Sequence, residues 1–382
     1  MELNKKNKKV LIFADWYEPG YKAGGPIRSC VNFAYYMQDD FDIYIYTRDR
    51  DFGDNKAYND VKANKWLNIS NKYIFYASPE HLSWEQILSR IKEVKPDCIY
   101  LNNMYSRYFT IYPILMKKRR LLNSKLILAP RGMLKASALQ FKSRKKNIYL
   151  KLFKTFRLNR LIRFHATDNT EQNDIMRQFG EKTDCMVLQN FPSPQSDFQV
   201  IEKKTGSVKI IFIGRIHPIK NLDFLLECLC KMNAEILLTI VGSIEDELYW
   251  RECEKLITSL PEDIKVDFKK DMPHNQVAAL IQSHHLFALP TSGENFGHAV
   301  FEALACGRPV LISDQTPWRN LKEYKAGWDL PLKNRSLFNE ILNKVVEMNN
   351  SEYQLWSNGA WNFAMNYQNI DLLKAKYIDL FS

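Results

Sequence analysis

The sequence predicts an α/β protein built from two doubly wound, mostly parallel sheets. Three observations carry this expectation. The chain has 382 residues, more than one typical hydrophobic core accommodates. Short apolar runs bounded by turn residues alternate with stretches of helical period, the pattern of a parallel sheet covered on both faces. The alternation breaks once, at NFPSPQSDFQVIEKKTGS (190–207), where prolines and serines interrupt any period, and it resumes at Val208.

The first set opens with an apolar strand at Lys9–Ala14, the loop DWYEPGYKAGGP and a helix from about Ile27 to Met37. A Gly-Gly pair between a first strand and a helix lets backbone approach a ligand closely. Strand-like runs follow at Asp42–Tyr46, Tyr73–Tyr76, Cys98–Leu101 and Lys125–Ala129, with a helical pattern at Trp84–Val94. After PRGML comes a long basic helix, expected over Leu139–Leu158. The strand Ile162–Thr167, a helix capped by Asp168 or Thr170, and the run Met186–Gln189 complete this half. The second half reads VKIIFIG, a turn HPIKN, a helix over Leu222–Met232, and strands at Glu235–Val241, Ile264–Phe268 and Leu286–Leu289. From Leu337 the pattern is helical, and the aromatics Trp356, Trp361, Phe363, Tyr367 and Tyr377 read as packing residues.

Composition limits the function classes. Hydrophobic residues make up 46% of the chain, so a folded core is expected rather than disorder. Apolar runs such as VLIFA and IYPILM are far below the roughly 18 residues needed to span a bilayer, and the basic start MELNKKNKK is not followed by a signal-peptide core. A cytoplasmic protein is expected. The seven cysteines are scattered without a CxxC pair, which favours buried thiols over a metal site. The net charge is +11 and is unevenly placed: no acidic residue lies between Asp97 and Asp168, whereas lysines and arginines are frequent there. Such one-sided charge implies an anionic partner, whether membrane surface, nucleic acid or phosphorylated substrate.

The chemistry is expected at the carboxyl ends of the strands, where glycines cluster. Four loops qualify: Gly24-Gly25, Gly214-Arg215, Gly242, and Gly293 to Gly297. Arg215 and Lys220 flank the turn GRIHPIK, a pair of cations suited to a diphosphate. In ALPTSGENFGHAVFEALACGRPVLISD (288–314) a strand end, a Ser/Gly turn, a helix starting near Phe296 and a second strand over Pro309–Ser313 follow one another. Glu294 lies in the turn and Glu302 inside an otherwise apolar helix, where a carboxylate is costly without a partner. Neither a Walker loop nor a GxGxxG fingerprint is present, which disfavours a kinase, an ATPase or an NAD enzyme.

Taken together, FIGRIHPIKNLDFLLECL, IVGS and the 288–314 stretch resemble the family-four retaining glycosyltransferases of the GT-B class, whose signature is a Glu-x7-Glu motif matched in spacing by Glu294 and Glu302. ADWYEPGYKAGGPIRS and PRGML…HATDNTEQNDIMRQFG…VLQNFP are similar to that family's N-terminal patterns. The resemblance implies two Rossmann-like domains facing across a cleft: an acceptor-binding domain over 1–192, a linker over 193–207, a nucleotide-sugar-binding domain over 208–352, and C-terminal helices over 353–382 packing back on the first domain. It implies that Arg215 and Lys220 neutralise the leaving diphosphate and that Glu302 accepts hydrogen bonds from the ribose. By the same resemblance Glu294, with the N–H groups of Asn295, Phe296 and Gly297, holds the donor sugar, while Gly25, Gly214 and Gly242 approach the donor.

The implied partners are a UDP- or GDP-linked sugar and a glycan or lipid-linked acceptor, in surface polysaccharide synthesis. No DxD motif is apparent, so no metal and no cofactor are expected. Two departures from the family pattern stand out. The linker reads Asn190-Phe191-Pro192 where many members have PNG and an acidic residue, and Arg131 stands in a loop where many show a histidine. Arg131 is therefore a candidate acceptor contact, with His165 and His298 of lower weight. Lys142, Arg144, Lys145 and Lys146, interleaved with Phe141, Ile148, Leu150, Leu152, Phe153 and Phe156, are expected to place the protein at the inner face of an anionic membrane. Competing readings are a GT-B epimerase, a phosphorylase, disfavoured by chain length and the lack of a visible pyridoxal lysine site, and a nucleic-acid-binding protein, for which no helix-turn-helix or RNA-binding pattern is present.

Overall fold

The computed structural model describes residues 7–135, 138–139, 143–194, 198–367 and 369–382. The chain forms two compact units, one of Met1–Phe191 with Ile370–Ser382 and one of Pro192–Asn369.

In the first unit, strands β1 (Lys8–Phe13), β2 (Phe41–Arg48), β3 (Trp66–Ile69), β4 (Lys72–Ala77), β5 (Cys98–Leu101), β6 (Lys125–Leu128), β7 (Arg163–Ala166) and β8 (Cys185–Val187) form one sheet in the order β3-β4-β2-β1-β5-β6-β7-β8. All pairings are parallel except β3 with β4, a hairpin at the edge. Strand side chains alternate between faces. In β1, Leu11 and Phe13 accordingly join one core, and Val10 and Ile12 the other. The helices are α1 (Gly25–Met37), α2 (Trp84–Val94), α3 (Tyr112–Lys118), α4 (Ser143–Thr155) and α5 (Asn169–Phe179). Asp168 rather than Thr170 caps α5, accepting from the Glu171 N–H at 2.7 Å.

The second unit is a fully parallel sheet of β9 (Ser207–Ile213), β10 (Glu235–Val241), β11 (Ile264–Lys269), β12 (Leu286–Leu289), β13 (Val310–Ser313) and β14 (Gly327–Leu330). Their order is β11-β10-β9-β12-β13-β14. Around it lie α6 (Leu222–Leu229), α7 (Glu247–Thr258), α8 (His274–Gln282), α9 (His298–Ala305), α10 (Arg335–Glu347) and α11 (Asn350–Asn366). Both sheets reverse direction at their first strand, between β1 and β5 and between β9 and β12. Ligands of doubly wound sheets bind at such reversals.

The C-terminal helices divide differently from the expectation for 353–382. Helix α11 stays with the second unit: Tyr353, Ala360 and Ala364 lie in its core, and the Tyr353 hydroxyl donates to the His285 carbonyl at 3.0 Å. Only α12 (Ile370–Phe381) belongs to the first unit, where Leu373, Tyr377, Leu380 and Phe381 complete one core face. The strands β3 and β14 and the helices α3, α7 and α8 are additions to the elements read from sequence. Among the described residues no helix is long and apolar enough to cross a membrane. All seven cysteines are unpaired thiols, five of them buried.

Tyr377 holds α12 in place. Its ring stacks on Phe191 with centroids 4.6 Å apart and its hydroxyl donates to the Gln189 carbonyl at 3.0 Å. Tyr377→Ala removes a buried aromatic and its hydrogen bond, so chemical denaturation of this variant is expected to show a loss of about 3–5 kcal/mol in the first unit.

Candidate functional site

The second unit brings Gly214, Arg215, Lys220 and the loop of Glu294 to Gly297 to the reversal between β9 and β12. Strand β9 runs into Gly214, Arg215 and a tight turn, Pro218–Lys220. Strand β12 runs into the loop from Pro290 to Gly297. The two loops are fastened to each other across the crevice. Ser292 N–H donates to the Ile219 carbonyl at 2.7 Å, Thr291 Oγ1 donates to the same oxygen at 2.9 Å, and Asn221 Nδ2 donates to the Pro290 carbonyl at 2.9 Å. On this frame Lys220 Nζ and Glu294 Oε1 form a charge-assisted hydrogen bond, each side chain only 14% exposed. Glu294 is further fixed through its N–H, which donates to the Gln315 carbonyl at 3.1 Å. Arg215, more exposed, pairs with Glu245 at 2.5 Å.

Gly242 is needed for the approach of β10 to β9. A Cβ at Gly242 would lie 2.0 Å from the Gly214 carbonyl oxygen, which backbone cannot yield. Gly297 precedes α9 with φ +77°, a left-handed conformation that favours glycine, and the helix begins at His298, two residues after the expected start at Phe296. The Trp318 indole N–H donates to the Phe296 carbonyl at 2.6 Å, and Phe296 is buried against that ring, so Phe296 anchors the loop. Asn295 lies in the same loop.

Glu302 has its own surroundings within the unit. Its Oε1 accepts from Ser193 Oγ at 2.9 Å and lies 3.9 Å from His274 Nδ1, beside a cavity of about 50 Å³ that Cys306 also lines. The costly carboxylate in an apolar helix thus has partners, from the linker and from α8. Sequence reading named neither Ser193 nor His274, because no motif spacing links them to Glu302.

In the first unit Gly25 opens α1, preceded by Gly24 and followed by Pro26. Arg131 stands after β6 with φ +56° and turns inward. Its Nε donates to Asn102 Oδ1 at 2.6 Å, its Nη1 to Asn190 Oδ1, and its Nη2 to Tyr100 Oη at 2.7 Å. Asn102 in turn donates from Nδ2 to the Pro26 carbonyl at 3.0 Å, so Arg131 orients the amide that holds the head of α1. The Arg131 guanidinium thus serves internal acceptors, whereas Arg144 and Lys145 are exposed. Lys146 is half-buried, and Lys142 and Phe141 lie outside the described residues. The helix α4 that carries this surface is described over Ser143–Thr155, inside the expected span of Leu139–Leu158.

His165 belongs to the same network. Its Nε2 lies 2.8 Å from the Leu188 carbonyl, which can only accept, so Nε2 carries the proton and Nδ1 accepts from Tyr100 Oη at 2.7 Å. Burial, with Arg131 nearby, pushes His165 down to about 3. His165 is therefore a neutral structural histidine. Glu171, fully buried, accepts from the N–H groups of Gly132 and Thr167 at 2.6 and 2.8 Å.

At the β1/β5 reversal stands a residue that sequence reading did not single out. Asp15 accepts from Asn103 Nδ2 at 2.9 Å and from Ser106 Oγ at 2.8 Å, with Arg48 Nη2 at 3.5 Å. Burial raises its pKa, with Ser106 and Arg48 opposing. Its signal in the sequence is positional: it is the first acidic residue after the first strand. Among the described residues no group of three or more His, Cys, Asp or Glu is arranged to hold a metal.

Residues 194–360 match the family model described as glycosyl transferases group 1. A D-inositol 3-phosphate glycosyltransferase of Mycobacterium tuberculosis is 30% identical over 105 residues, a match that covers 27% of this chain and 22% of that relative. Among solved structures, Anabaena HepE in complex with UDP and glucose aligns over 98% of this chain and 99% of its own, with TM-score 0.72 and 15% identity. Sucrose-phosphate synthase from Thermosynechococcus elongatus aligns over 98% of both chains with TM-score 0.73 and 14% identity. WaaG, a glycosyltransferase involved in lipopolysaccharide biosynthesis, aligns over 98% of this chain and 99% of its own, with TM-score 0.66 and 17% identity. The fold is GT-B: two parallel-sheet α/β domains in one chain.

The buried histidines set an acid limit on stability. The folded-state value of His165, about 3, lies below its ordinary 6.5, so between these values the unfolded chain takes up a proton that the folded chain does not. Stability is then full above pH 6.5 and falls as the pH drops through the window, by up to about 1.4 kcal/mol per unit for one group. His285, pushed down to about 4 by burial, acts in the same direction in the second unit. Denaturant titrations between neutral and mildly acidic pH are expected to show this decline, and His165→Gln is expected to flatten it by one proton.

Proposed function

We propose that the protein is a retaining glycosyltransferase that moves a sugar from a nucleotide-sugar to a glycan or lipid-linked acceptor in surface polysaccharide synthesis. The observation that carries the reading is the Lys220–Glu294 pair, held across the reversal between β9 and β12 by loops bonded to each other. One partner suits a phosphate and the other a sugar hydroxyl, and the backbone frame fixes both before any ligand arrives. The family match over 194–360 supports the reading, and the UDP bound by HepE makes a UDP-linked sugar the first donor to try, with GDP-linked sugars second.

In the reaction the bond from the sugar's anomeric carbon to the diphosphate breaks, and the nucleoside diphosphate leaves with the electron pair. The acceptor hydroxyl oxygen bonds to the same carbon on the same face, and its proton passes to the departing phosphate. Arg215 and Lys220 would neutralise the charge that builds on the diphosphate, exchanging their carboxylate partners for it. Glu294 would hold the sugar, with the loop Asn295–Gly297 beside it, and Glu302 would accept from the ribose, with Ser193 and His274 setting its position. These cations would stabilise the leaving group without a metal, so activity should survive chelation by EDTA. In the first unit, Asp15 with Asn103 would hold an acceptor hydroxyl.

Helix α4 supports a membrane partner for that first unit. Ile148, Leu152 and Phe156 recur every four residues and are all exposed, and Arg144, Lys145, Lys151 and Lys154 are exposed around them. A basic element with an apolar stripe suits an anionic bilayer.

Two measurements test this reading. In a donor-turnover assay Glu294→Ala and Lys220→Ala are each expected to lose about 100-fold or more. Full activity in both would remove the site assignment. Charge reversal at Arg144 and Lys145 is expected to abolish binding to anionic vesicles, and unchanged binding would remove the membrane partner.

A further inference from the structure

The first unit carries a polar cavity at the opposite end of its strands from Gly25, Asp15 and Arg131. It has a volume of about 870 Å³ and includes Lys125 and Arg163, the first residues of β6 and β7, whereas the groups described above follow the strands' carboxyl ends. Its volume lies within the roughly 300–1,000 Å³ of small-molecule sites. Seven lysines and arginines line it against a single carboxylate, Asp184. That carboxylate is already held by Arg163 Nε, at 3.2 and 3.1 Å from its two oxygens.

The remaining cations divide into two groups. Lys117 Nζ donates to the carbonyls of Asn123 and Ser124 at 3.0 and 2.8 Å, and Lys125 Nζ donates to Ser382 O. Lys154, Arg157, Arg160 and Lys182 have no ion-pair partner among the described residues. Like charges gathered around one cavity repel, and the arrangement becomes favourable only when an anion enters. The turn carrying Arg157 and Arg160 is anchored by buried Leu158 and Ile162, and Phe179 and Leu380 add apolar surface to the cavity lining.

The position of Phe156 says what kind of anion. Thr155 and Arg157, the chain neighbours of Phe156, both line the cavity. Phe156 is 55% exposed and ends the stripe of Ile148, 62% exposed, and Leu152, 49% exposed. Lys118 Nζ donates to the Phe156 carbonyl at 3.1 Å and sits over its ring at 4.8 Å, which fixes this end of the stripe. A cationic cavity therefore opens beside an exposed apolar ridge, the combination that receives a phosphate with an acyl chain attached to it.

We propose that this cavity binds the phosphate headgroup of an anionic phospholipid, at one site per chain, with Arg157, Arg160, Lys154 and Lys182 as its ligands. The inference rests on the membrane reading of α4 and deepens it from surface attraction to a defined headgroup site. Arginine pairs supply bidentate contacts to phosphate oxygens, which a diffuse basic face does not.

Calorimetric titration of the full chain with short-chain phosphatidic acid below its micelle concentration tests it. One saturable site is expected, with no comparable binding of short-chain phosphatidylcholine. The variant Arg157→Gln/Arg160→Gln/Lys182→Gln is expected to weaken the site by at least about tenfold, with donor turnover on a soluble acceptor unchanged. Ile148→Ser/Leu152→Ser is expected to keep this titration and lose vesicle binding. Where the triple variant unfolds, Arg160→Glu alone, at an exposed position, gives the same reading. Equal affinity in the cavity variants overturns the proposal. Inorganic pyrophosphate binding as tightly as the lipid also overturns it and reassigns the cavity to a soluble anion. Loss of vesicle binding in the stripe variant with an unaltered cavity titration in the triple variant keeps α4 at the membrane and rejects the headgroup site, so the two readings fail separately.

Discussion

The ion pair of Lys220 with Glu294 is the constraint around which the second domain is arranged. Two side chains from different strand ends can meet at one point only if the loops bearing them are rigid, and a buried or half-buried pair stabilises only when its geometry is held. The structure supplies the rigidity in hydrogen bonds to backbone carbonyls: Ser292, Thr291 and Asn221 join the β12 loop to the β9 turn, and the Gln315 carbonyl, just after β13, holds the Glu294 N–H. The absence of a side chain at Gly242 lets β10 close against the Gly214 carbonyl at this corner.

The first domain repeats the six-strand parallel order of the second, with β3 and β8 added at its edges, but places different chemistry at the corresponding reversal. There Asp15 meets Asn103 and Ser106, a carboxylate among neutral donors, rather than a cation meeting a carboxylate. On the proposed reading a diphosphate would go to the second domain and hydroxyl groups to this corner. Arg131, Tyr100, His165, Asn190 and Asn102 form a chain of hydrogen bonds behind it that ends on the carbonyl of Pro26 and so fixes the head of α1. One topology repeated in a chain thus yields two sites of distinct character, set by which side chains follow the strands.

Much of the second domain was legible in the sequence because its information is local. Strand, glycine and helix follow each other within the stretch 288–314, and Arg215 and Lys220 stand within one turn. Boundaries were less legible: α9 starts at His298 because Gly297 takes the left-handed conformation, which helical periodicity does not encode. Long-range partners were not legible at all. Ser193 and His274 reach Glu302 from distant parts of the chain, and Arg131 turns inward because Asn102 and Asn190, far apart in sequence, both accept from it. The aromatic pattern after Leu337 was uniform, yet α11 packs in one domain and α12 in the other, since amphipathicity marks a buried face without saying what buries it.

The central claim is that the crevice between β9 and β12 takes a nucleotide-sugar. Calorimetric titration of a panel of UDP- and GDP-linked sugars, followed by displacement with the matching nucleoside diphosphate, measures this directly. The expected result is saturation by one of them at a single site, displacement by its nucleoside diphosphate, and loss of both when the charges of Lys220 and Glu294 are exchanged. No binding by any member of the panel, or equal binding after the exchange, would contradict the account.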